Sequence, residues 1–343
     1  MHLVLDAMNN ASRWSPLTPD GVTASAQISM SNDPDKFRYG ADGISARINT
    51  TAAARGHTLR RTLPPTDLSN FEELRFWFRS TRAADGSPAR TFFLRLRLGS
   101  ATMPLADASN AWFRYVPAFR AEAWELVRVS IEDLAPQVRG ALSVLELACV
   151  DDAVAECNLD GLIATREQML GDVETEMVAR LHQRLNFGGA AVAARMHNPD
   201  DPAAAAMPFI QIIPRAIQLS AERSASGETR TDFIENSFRL RPASIPYDLY
   251  YDIDVFAQNR QHKAEIYELV LKTLSPRSEL IVNGMPLTVE LINASPELRA
   301  APLLPDRTLL SFKVATWQTV GVSTPAVQPY RDVSIAVSAK APV

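Results

Sequence analysis

Residues 74–79 read Leu-Arg-Phe-Trp-Phe-Arg, and residues 93–98 read Phe-Leu-Arg-Leu-Arg-Leu. Successive side chains of an extended chain point to opposite faces, so each stretch has one apolar face and one face rich in arginine. Residues 127–131 and 145–149 repeat the alternation. Strands with a single apolar face bury it by packing sheet on sheet, and the pattern therefore predicts a β-sandwich or jelly roll.

This alternation ends near residue 165, where helical spacing begins. Asp172 is the predicted N-cap of a helix whose apolar residues recur at every fourth position. These residues are Val173, Met177, Leu181 and Leu185. The change of period predicts an all-β domain over residues 1–165 and a second domain over residues 166–343.

The second domain is predicted to be α+β, an antiparallel sheet with two main helices. Its second helix is expected over residues 262–274, where Ile266, Tyr267 and Val270 belong to an apolar stripe. Asn283-Gly284 predicts a two-residue hairpin turn, because both positions of a type I′ turn need positive φ angles. The predicted strands are 209–213, 247–256, 280–282, 287–292, 309–316 and 333–337.

The stretch from 217 to 240 is predicted to be a protruding hairpin or arm. It is rich in Ser, Glu and Arg and has few apolar side chains, and an isolated hairpin is marginally stable in water. We therefore expect the arm to gain order from a neighbouring subunit, with Phe233 and Phe238 as apolar anchors and possible subunit-interface residues.

Overall charge argues against two classes of partner. The 343 residues include 35 Lys and Arg against 39 Asp and Glu, a formal net charge of -4. Because basic residues are not in excess, binding to nucleic acid or to an anionic membrane surface is not favoured. The opening residues have no basic segment followed by an apolar core, and nowhere do eighteen apolar residues run together. We therefore expect neither an export signal nor a membrane span.

Chemical motifs do not indicate an enzyme. Cys149 and Cys157 have no zinc-site spacing around them, so two free thiols in a reducing compartment are expected. The five histidines are scattered, and the sequence contains no nucleophile elbow, P-loop, zinc-protease or dinucleotide motif. Asp151 and Asp152 are adjacent and point to opposite faces of a strand, so they do not form a glycosidase pair. No cofactor is expected.

The first domain resembles the galactose-binding-like jelly rolls of carbohydrate-binding modules. The similar segments are LVLDAMNNASRW, GADGISARI, DLSNFEELRFWFRS, WELVRVSI and NLDGLIA. The resemblance covers nearly all of residues 1–165 and implies a jelly-roll fold. It also implies a possible structural calcium ion near Asp6 and Asp160, where such modules often hold one between their first and last strands.

The second domain resembles the tail-terminator and tail-completion proteins of tailed bacteriophages and related contractile injection systems. The similar segments are GDVETEMVARLHQRL, YDLYYDIDVFAQNRQHKAEIYELVLKTL and ELIVNGMPLTVELI. In that family a small α+β subunit forms a ring that ends the tail tube and joins it to the neck. The resemblance covers about residues 170–340, and the additional first domain is a departure from a minimal terminator.

Two sets of side chains are candidate binding surfaces. Arginine and aromatic side chains on an outward β face suit a protein partner or a glycan. That set comprises Arg75, Trp77, Arg79, Arg95 and Arg97, on strands expected to be adjacent. Asp248, Asp252 and Asp254 share one strand face and have no histidine beside them. They are therefore expected to form a negative stripe toward a neighbouring subunit or the lumen of a ring rather than a metal site.

The preferred hypothesis is a non-enzymatic virion protein, a tail terminator or neck component. It would assemble in the host cytoplasm as a homo-oligomeric ring that contacts tail tube, sheath or neck proteins, with the jelly roll decorating its outside. The alternative is a tail or baseplate adaptor whose jelly roll attaches to host-surface glycans. A glycoside-active enzyme is the weakest of the three hypotheses, because no acid and base pair is found.

Overall fold

The structure is a computed structural model that describes residues 2–38, 43–152, 154–198, 207–224, 227–234, 237–274, 278–292 and 310–319. The strand predicted over 333–337 lies outside these residues. No helix in the described ranges is both long and apolar enough to cross a lipid bilayer.

The first half of the chain is built almost entirely of strands. Its elements are β1 (His2–Asp6), β2 (Trp14–Leu17), β3 (Ile28–Asp33), β4 (Ser45–Thr50), β5 (Thr58–Thr66), β6 (Glu73–Ser80), β7 (Leu94–Ser100), β8 (Phe113–Tyr115), β9 (Glu125–Ser130), the short helix α1 (Pro136–Arg139), β10 (Leu142–Cys149) and β11 (Ala155–Thr165). All four strands anticipated from the alternating pattern are present.

These strands form two sheets. One has the order β3-β4-β11-β6-β9, with β1 also paired to β11, and the other has the order β2-β5-β10-β7-β8. Phe76 and Phe78 of β6 and Leu96 and Leu98 of β7 are at most 2% exposed, which confirms the inward faces predicted for both strands. The predicted β-sandwich is therefore confirmed.

The second half combines helices and strands. Its elements are α2 (Met169–Arg184), β12 (Asn186–Phe187), β13 (Ala190–Ala191), β14 (Ala193–Met196), β15 (Phe209–Leu219), β16 (Glu228–Ile234), β17 (Ser237–Pro242), β18 (Ile245–Phe256), α3 (Arg260–Thr273), β19 (Ser278–Val282), β20 (Met285–Ile292) and β21 (Leu310–Gln318).

A six-stranded sheet of order β14-β15-β18-β21-β20-β19 forms the centre of this half. Only the β14–β15 pair is parallel among the described strand pairs of this sheet. The apolar stripes of α2 and α3 share one buried core with the sheet, as their spacing predicted. Asn283 and Gly284 have φ angles of 49° and 75°, so the predicted β19–β20 turn is confirmed.

Asp172 is not the N-cap of the first long helix. Helix α2 begins at Met169, with Gln168 as its N-cap residue, so Asp172 lies in the first turn. Its carboxylate accepts hydrogen bonds from the backbone N–H of Gln168 at 2.8 Å and from the side-chain amide of Asn283 at 2.6 Å. The helix therefore starts one turn earlier than predicted, and the carboxylate ties that turn to the β19–β20 hairpin.

The described residues divide into two compact units that do not follow chain order. The sandwich unit contains residues 5–162 together with the hairpin at 228–242, whose strands are β16 and β17. The mixed unit contains the remaining described residues from both sides of that hairpin. The predicted arm is therefore divided between the two units. Its first part extends β15 in the mixed unit, and its second part belongs to the sandwich unit.

Two glycine substitutions, one in the β19–β20 turn and one in α2, form a matched pair. A Cβ atom at Gly284 would lie 3.2 Å from Cδ1 of Ile163, and the positive φ angle adds strain. We expect Gly284→Ala to lower the free energy of unfolding by about 1–2 kcal/mol. Gly171→Ala lies in α2, where the new methyl group meets only Gln168 Oε1 at 3.8 Å, and should raise stability by roughly 0.5–1 kcal/mol. Chemical denaturation measures both, and effects of the same sign would contradict this account of the turn.

Candidate partner-binding surfaces

The five arginine and tryptophan residues of the first candidate surface do not lie on one face. Arg75, Trp77 and Arg79 belong to β6, whereas Arg95 and Arg97 belong to β7. The expectation that these strands are adjacent is wrong, because β6 pairs with β9 in one sheet and β7 pairs with β8 and β10 in the other. Their outward side chains therefore lie on opposite sides of the sandwich.

On the β6 side, only part of the predicted surface is accessible. Arg75 is 1% exposed and pairs with Glu73, so its guanidinium is unavailable to a partner. Trp77 is half-buried, and the Arg38 guanidinium lies over its ring at 5.0 Å from the centroid. Arg79 pairs with Glu122. This face consequently offers one partly covered aromatic ring between paired cations.

Glu73 is the centre of a buried charge cluster on this side. Its carboxylate pairs with Arg75, with Arg128 of β9 at 2.9 Å and with Arg241 of β17 at 2.7 Å. Burial by itself would raise the pKa of Glu73, but the three guanidinium groups outweigh it and lower the pKa to about 2. The carboxylate therefore stays ionised and joins three strands, one of which comes from the second half of the chain.

On the β7 side, strand register aligns a row of charges across the sheet. Arg60 of β5 lies opposite Glu146 of β10, which lies opposite Arg97 of β7. Glu146 is 1% exposed and pairs with Arg60 at 2.7 Å and with Arg97 at 3.1 Å. The central acid thus fixes both guanidinium groups in place.

Two aromatic rings extend this face at the sheet edge. Phe113 and Tyr115 of β8 lie opposite Arg97 and Arg95, and the Arg95 guanidinium is 5.5 Å from the centre of the Phe113 ring. Both rings are half-buried. Arginine and aromatic side chains are enriched in protein interfaces. Here the arginines are ordered and the rings are partly accessible.

The two predicted anchors of the arm pack within their own chain, which corrects the expectation that they dock on a neighbouring subunit. Phe233 is 3% exposed and Phe238 8% exposed. The Phe233 ring centre lies 5.2 Å from that of Phe92, 5.9 Å from that of Phe119 and 5.9 Å from that of Phe238. Both proposed anchors are therefore buried in an aromatic cluster of the sandwich unit.

Polar contacts hold the same hairpin against the edges of the two sheets. The backbone N–H of Ser130, at the end of β9, donates to Asp232 at 2.6 Å. Arg239 pairs with Asp133 at 3.0 Å, in addition to the pairing of Arg241 with Glu73. Strand β16 packs against β8 and β9, which are the edge strands of the two sheets, so the hairpin covers that side of the sandwich.

The acidic stripe of the mixed unit is neutralised locally, contrary to expectation. Asp252 and Asp254 are each 3% exposed, and all three carboxylates have a cationic partner in the same unit. The pairs are Asp248 with Arg223 at 2.8 Å, Asp252 with Arg215, and Asp254 with Lys263 at 3.6 Å. The strand face consequently does not present an unpaired row of negative charges to a neighbour.

Asp6 and Asp160 do not fit the suggested calcium ion. Asp6 accepts hydrogen bonds from Arg61 at 3.0 Å and from the Trp14 indole at 3.2 Å, and Asp160 accepts one from the Arg38 backbone N–H at 2.6 Å. An arginine already occupies the position that a cation would take on Asp6. Within the described ranges, no group of three His, Cys, Asp or Glu side chains is placed to hold a metal ion.

The two cysteines are free, and both are buried. Burial raises the pKa of Cys149 to about 12 and that of Cys157 well above its usual value. Both thiols therefore remain protonated and unreactive at neutral pH.

Comparisons with known proteins give structural neighbours that include terminators of injection systems and carbohydrate-binding modules. No family model matches the chain, and no curated protein matches it. Among solved structures, the chain is similar to the PVC sheath/tube terminator of an extracellular contractile injection system, with 19% identity over 52% of this chain and 66% of that one, and a TM-score of 0.40. It is also similar to the tube-terminating cap of the anti-feeding prophage, with 19% identity over 50% of this chain and 62% of that one, and a TM-score of 0.39.

Carbohydrate-binding modules are also among the structural neighbours. The family 11 module from Clostridium thermocellum has 11% identity over 48% of this chain and 94% of that one, with a TM-score of 0.32. The chain spans less than two thirds of the length of both terminator proteins. Terminators and carbohydrate-binding modules are the two kinds of protein that the sequence segments resemble.

Sequence reasoning missed the contacts that join the hairpin to the sandwich. Glu73, Arg128 and Arg241 are far apart in the chain, and no local spacing connects them. The one available signal was the isolated pair Phe233 and Phe238 in a polar stretch. Apolar residues in a polar stretch indicate an apolar partner, but they do not tell whether it lies in the same chain.

The charge cluster predicts a pH-dependent stability. Because the pKa of Glu73 is lowered from 4.5 to about 2, its contribution is fully present above pH 4.5 and is lost as the pH falls through 2. Glu73→Gln leaves the guanidinium groups without their counter-ion and should cost about 3–5 kcal/mol at neutral pH. Urea denaturation of both proteins between pH 2 and 7 should show this difference shrinking with acid. Glu132→Gln, at an exposed position, is the control, and a difference independent of pH would contradict the assignment.

The aromatic cluster predicts energetic coupling between the halves of the sequence. Phe233→Ala should destabilise the protein by about 3–5 kcal/mol, and Phe92→Ala should cost less because its ring is half-buried. Because the two rings touch, the double variant should cost less than the sum of the single variants by roughly 0.5–1.5 kcal/mol. Denaturation of the three variants and the parent measures the coupling. Strict additivity would show that the hairpin does not pack on Phe92 in solution.

Proposed function

We propose that this chain is a structural, non-enzymatic component of a bacteriophage tail or a related contractile injection particle, in a terminator or neck position. The segments that resemble terminators form α2, the β18–α3 pair and the β19–β20 hairpin, and all of them contribute to one core. In this proposal the mixed unit forms a homo-oligomeric ring. The partners are tail tube, sheath or neck proteins, and the location is the virion tail or neck, assembled in the host cytoplasm.

One observation supports a structural role for the jelly roll. The sandwich unit includes residues 228–242, whose flanking segments both belong to the mixed unit. A binding module joined by a simple linker needs no such segment, because independent domains are usually connected where few contacts cross. The interlaced chain therefore supports a jelly roll that is a built-in part of a particle subunit.

A glycan-binding adaptor is the second candidate function. The observation that favours it is the pair of half-buried rings, Phe113 and Tyr115, beside the ordered guanidinium groups of Arg95 and Arg97. Aromatic faces stack on sugar rings, and guanidinium groups donate to hydroxyl groups. The same side chains suit a protein partner, so this surface alone does not separate the two functions.

Oligomeric state tests the proposed function. Light scattering and negative-stain images of the purified chain should show a closed ring of several copies, because heterologous contacts between identical subunits close when their rotation permits. A monomer at all concentrations, combined with glycan-array binding that is lost in Phe113→Ala, would support the adaptor instead. Val22→Ala, at a side chain that is 83% exposed, is the control expected to change neither result.

A further inference from the structure

Strand β15 is only partly covered on one of its sides. It pairs with β18 along nearly its whole length, but β14 pairs only with its first residues, Phe209–Ile212. Within the described part of the chain, no strand pairs with residues 214–219 on the side away from β18. That stretch therefore presents backbone C=O groups and, beyond Pro214, backbone N–H groups that another extended chain can use.

Aliphatic side chains follow the same stretch of edge. Ile217 lies opposite Leu249, a core residue, and Leu219 lies opposite Tyr247. Cross-strand partners share a face, so Ile217 and Leu219 point to the side of the sheet that bears the helices. They are nevertheless 52% and 60% exposed. An accessible apolar edge of this kind favours association with a further strand.

A cavity of about 340 Å³ adjoins this edge. Its walls come from the first turns of α2, the middle of β15 and the middle of β18. The lining side chains include Leu170, Glu174, Pro214, Ile217, Leu249 and Tyr251. Leu170 is itself 38% exposed. We call the edge at 214–219 together with this cavity the β15 groove.

The groove contains an unneutralised acid. Glu174 is half-buried in the cavity wall, and no Lys, Arg or His of the described residues forms an ion pair with it. The neighbouring cation, Arg215, already pairs with Asp252. Desolvation raises the pKa of the Glu174 carboxyl, as expected for an acid without a counter-ion in an apolar wall.

We propose that the β15 groove binds an extended strand of a different protein. On the face of that strand that lies over the groove, the side chains are aliphatic residues and one lysine or arginine. The backbone of that strand adds to the sheet beside residues 214–219. Its aliphatic side chains cover Ile217 and Leu219, and its basic side chain pairs with Glu174. The identification of that protein as another particle component rests on the proposed function.

Charge argues against a second copy of this chain as the occupant. An isologous contact places the same groups of two subunits together, so the Glu174 carboxylates would approach each other. The opposite edge of the sheet, β19, carries the exposed acid Glu279. Neither arrangement supplies the positive charge that the groove lacks.

Peptide binding to the full-length protein tests this inference. The probe is the blocked peptide Thr-Val-Thr-Lys-Thr-Val-Thr, which places valine and lysine on one face, and its partner has glutamate in place of lysine. The lysine peptide should slow amide hydrogen exchange at residues 215–219, and the glutamate peptide should not. Glu174→Gln should weaken binding of the lysine peptide about tenfold, the loss of one charge-assisted hydrogen bond.

Two further variants complete the design. Ile217→Ser should abolish protection by removing an exposed apolar contact, whereas Val22→Ser, in the sandwich unit, should leave it unchanged. Equal protection by both peptides, no protection by the lysine peptide, or concentration-dependent protection without peptide would each overturn the inference. Because the assay uses the purified chain alone, its outcome is separate from the ring measurement that tests the proposed function.

Discussion

The buried Glu73 carboxylate is the interaction on which the arrangement of this chain depends. It is held by guanidinium groups from β6, β9 and β17, and β17 belongs to a hairpin inserted between segments of the mixed unit. A buried acid is unfavourable unless it is paired and hydrogen-bonded, so the cluster is complete only when the hairpin is docked. The aromatic contacts of Phe233 act together with it on the same hairpin.

This constraint makes the sandwich unit dependent on residues that come late in the chain. The hairpin lies more than sixty residues after the last strand of the sandwich, β11, and it packs against the two edge strands β8 and β9. Long-range contacts of this kind must overcome the entropy of closing a large loop. The sandwich unit is therefore complete only when residues 228–242 have docked on it.

The accessible features of the two units differ in chemistry. The outer faces of the sandwich present arginines fixed by buried acids, as in the Arg60, Glu146 and Arg97 row, next to partly accessible rings. The β15 groove of the mixed unit instead combines aliphatic side chains, an open strand edge and one acid without a counter-ion. Surfaces that differ in this way select different partners.

Local patterns in the sequence were sufficient for several elements of both halves. Alternation identified β6 and β7, four-residue spacing identified α2, and Asn283-Gly284 identified the β19–β20 turn. These features depend on periodicity and turn chemistry, which act between neighbouring residues. The placement of the helix start was one turn late, because Asp172 caps from within the first turn rather than before it.

Tertiary structure alone decided which surfaces exist. The arginines of β6 and β7 alternate in the same way, yet they lie on opposite sides of the sandwich because strand pairing, not sequence order, assigns each strand to a sheet. The sequence pattern of Asp248, Asp252 and Asp254 is that of an acidic stripe. In the structure, cations from other elements neutralise all three carboxylates. Phe233 and Phe238 are apolar residues in a polar stretch and need apolar partners. Only the tertiary structure shows that Phe92 and Phe119, from the first half of the same chain, are those partners. Short-range periodicity specifies elements and their apolar faces, whereas contacts between distant residues depend on how those elements pair, and a single sequence does not encode that pairing locally.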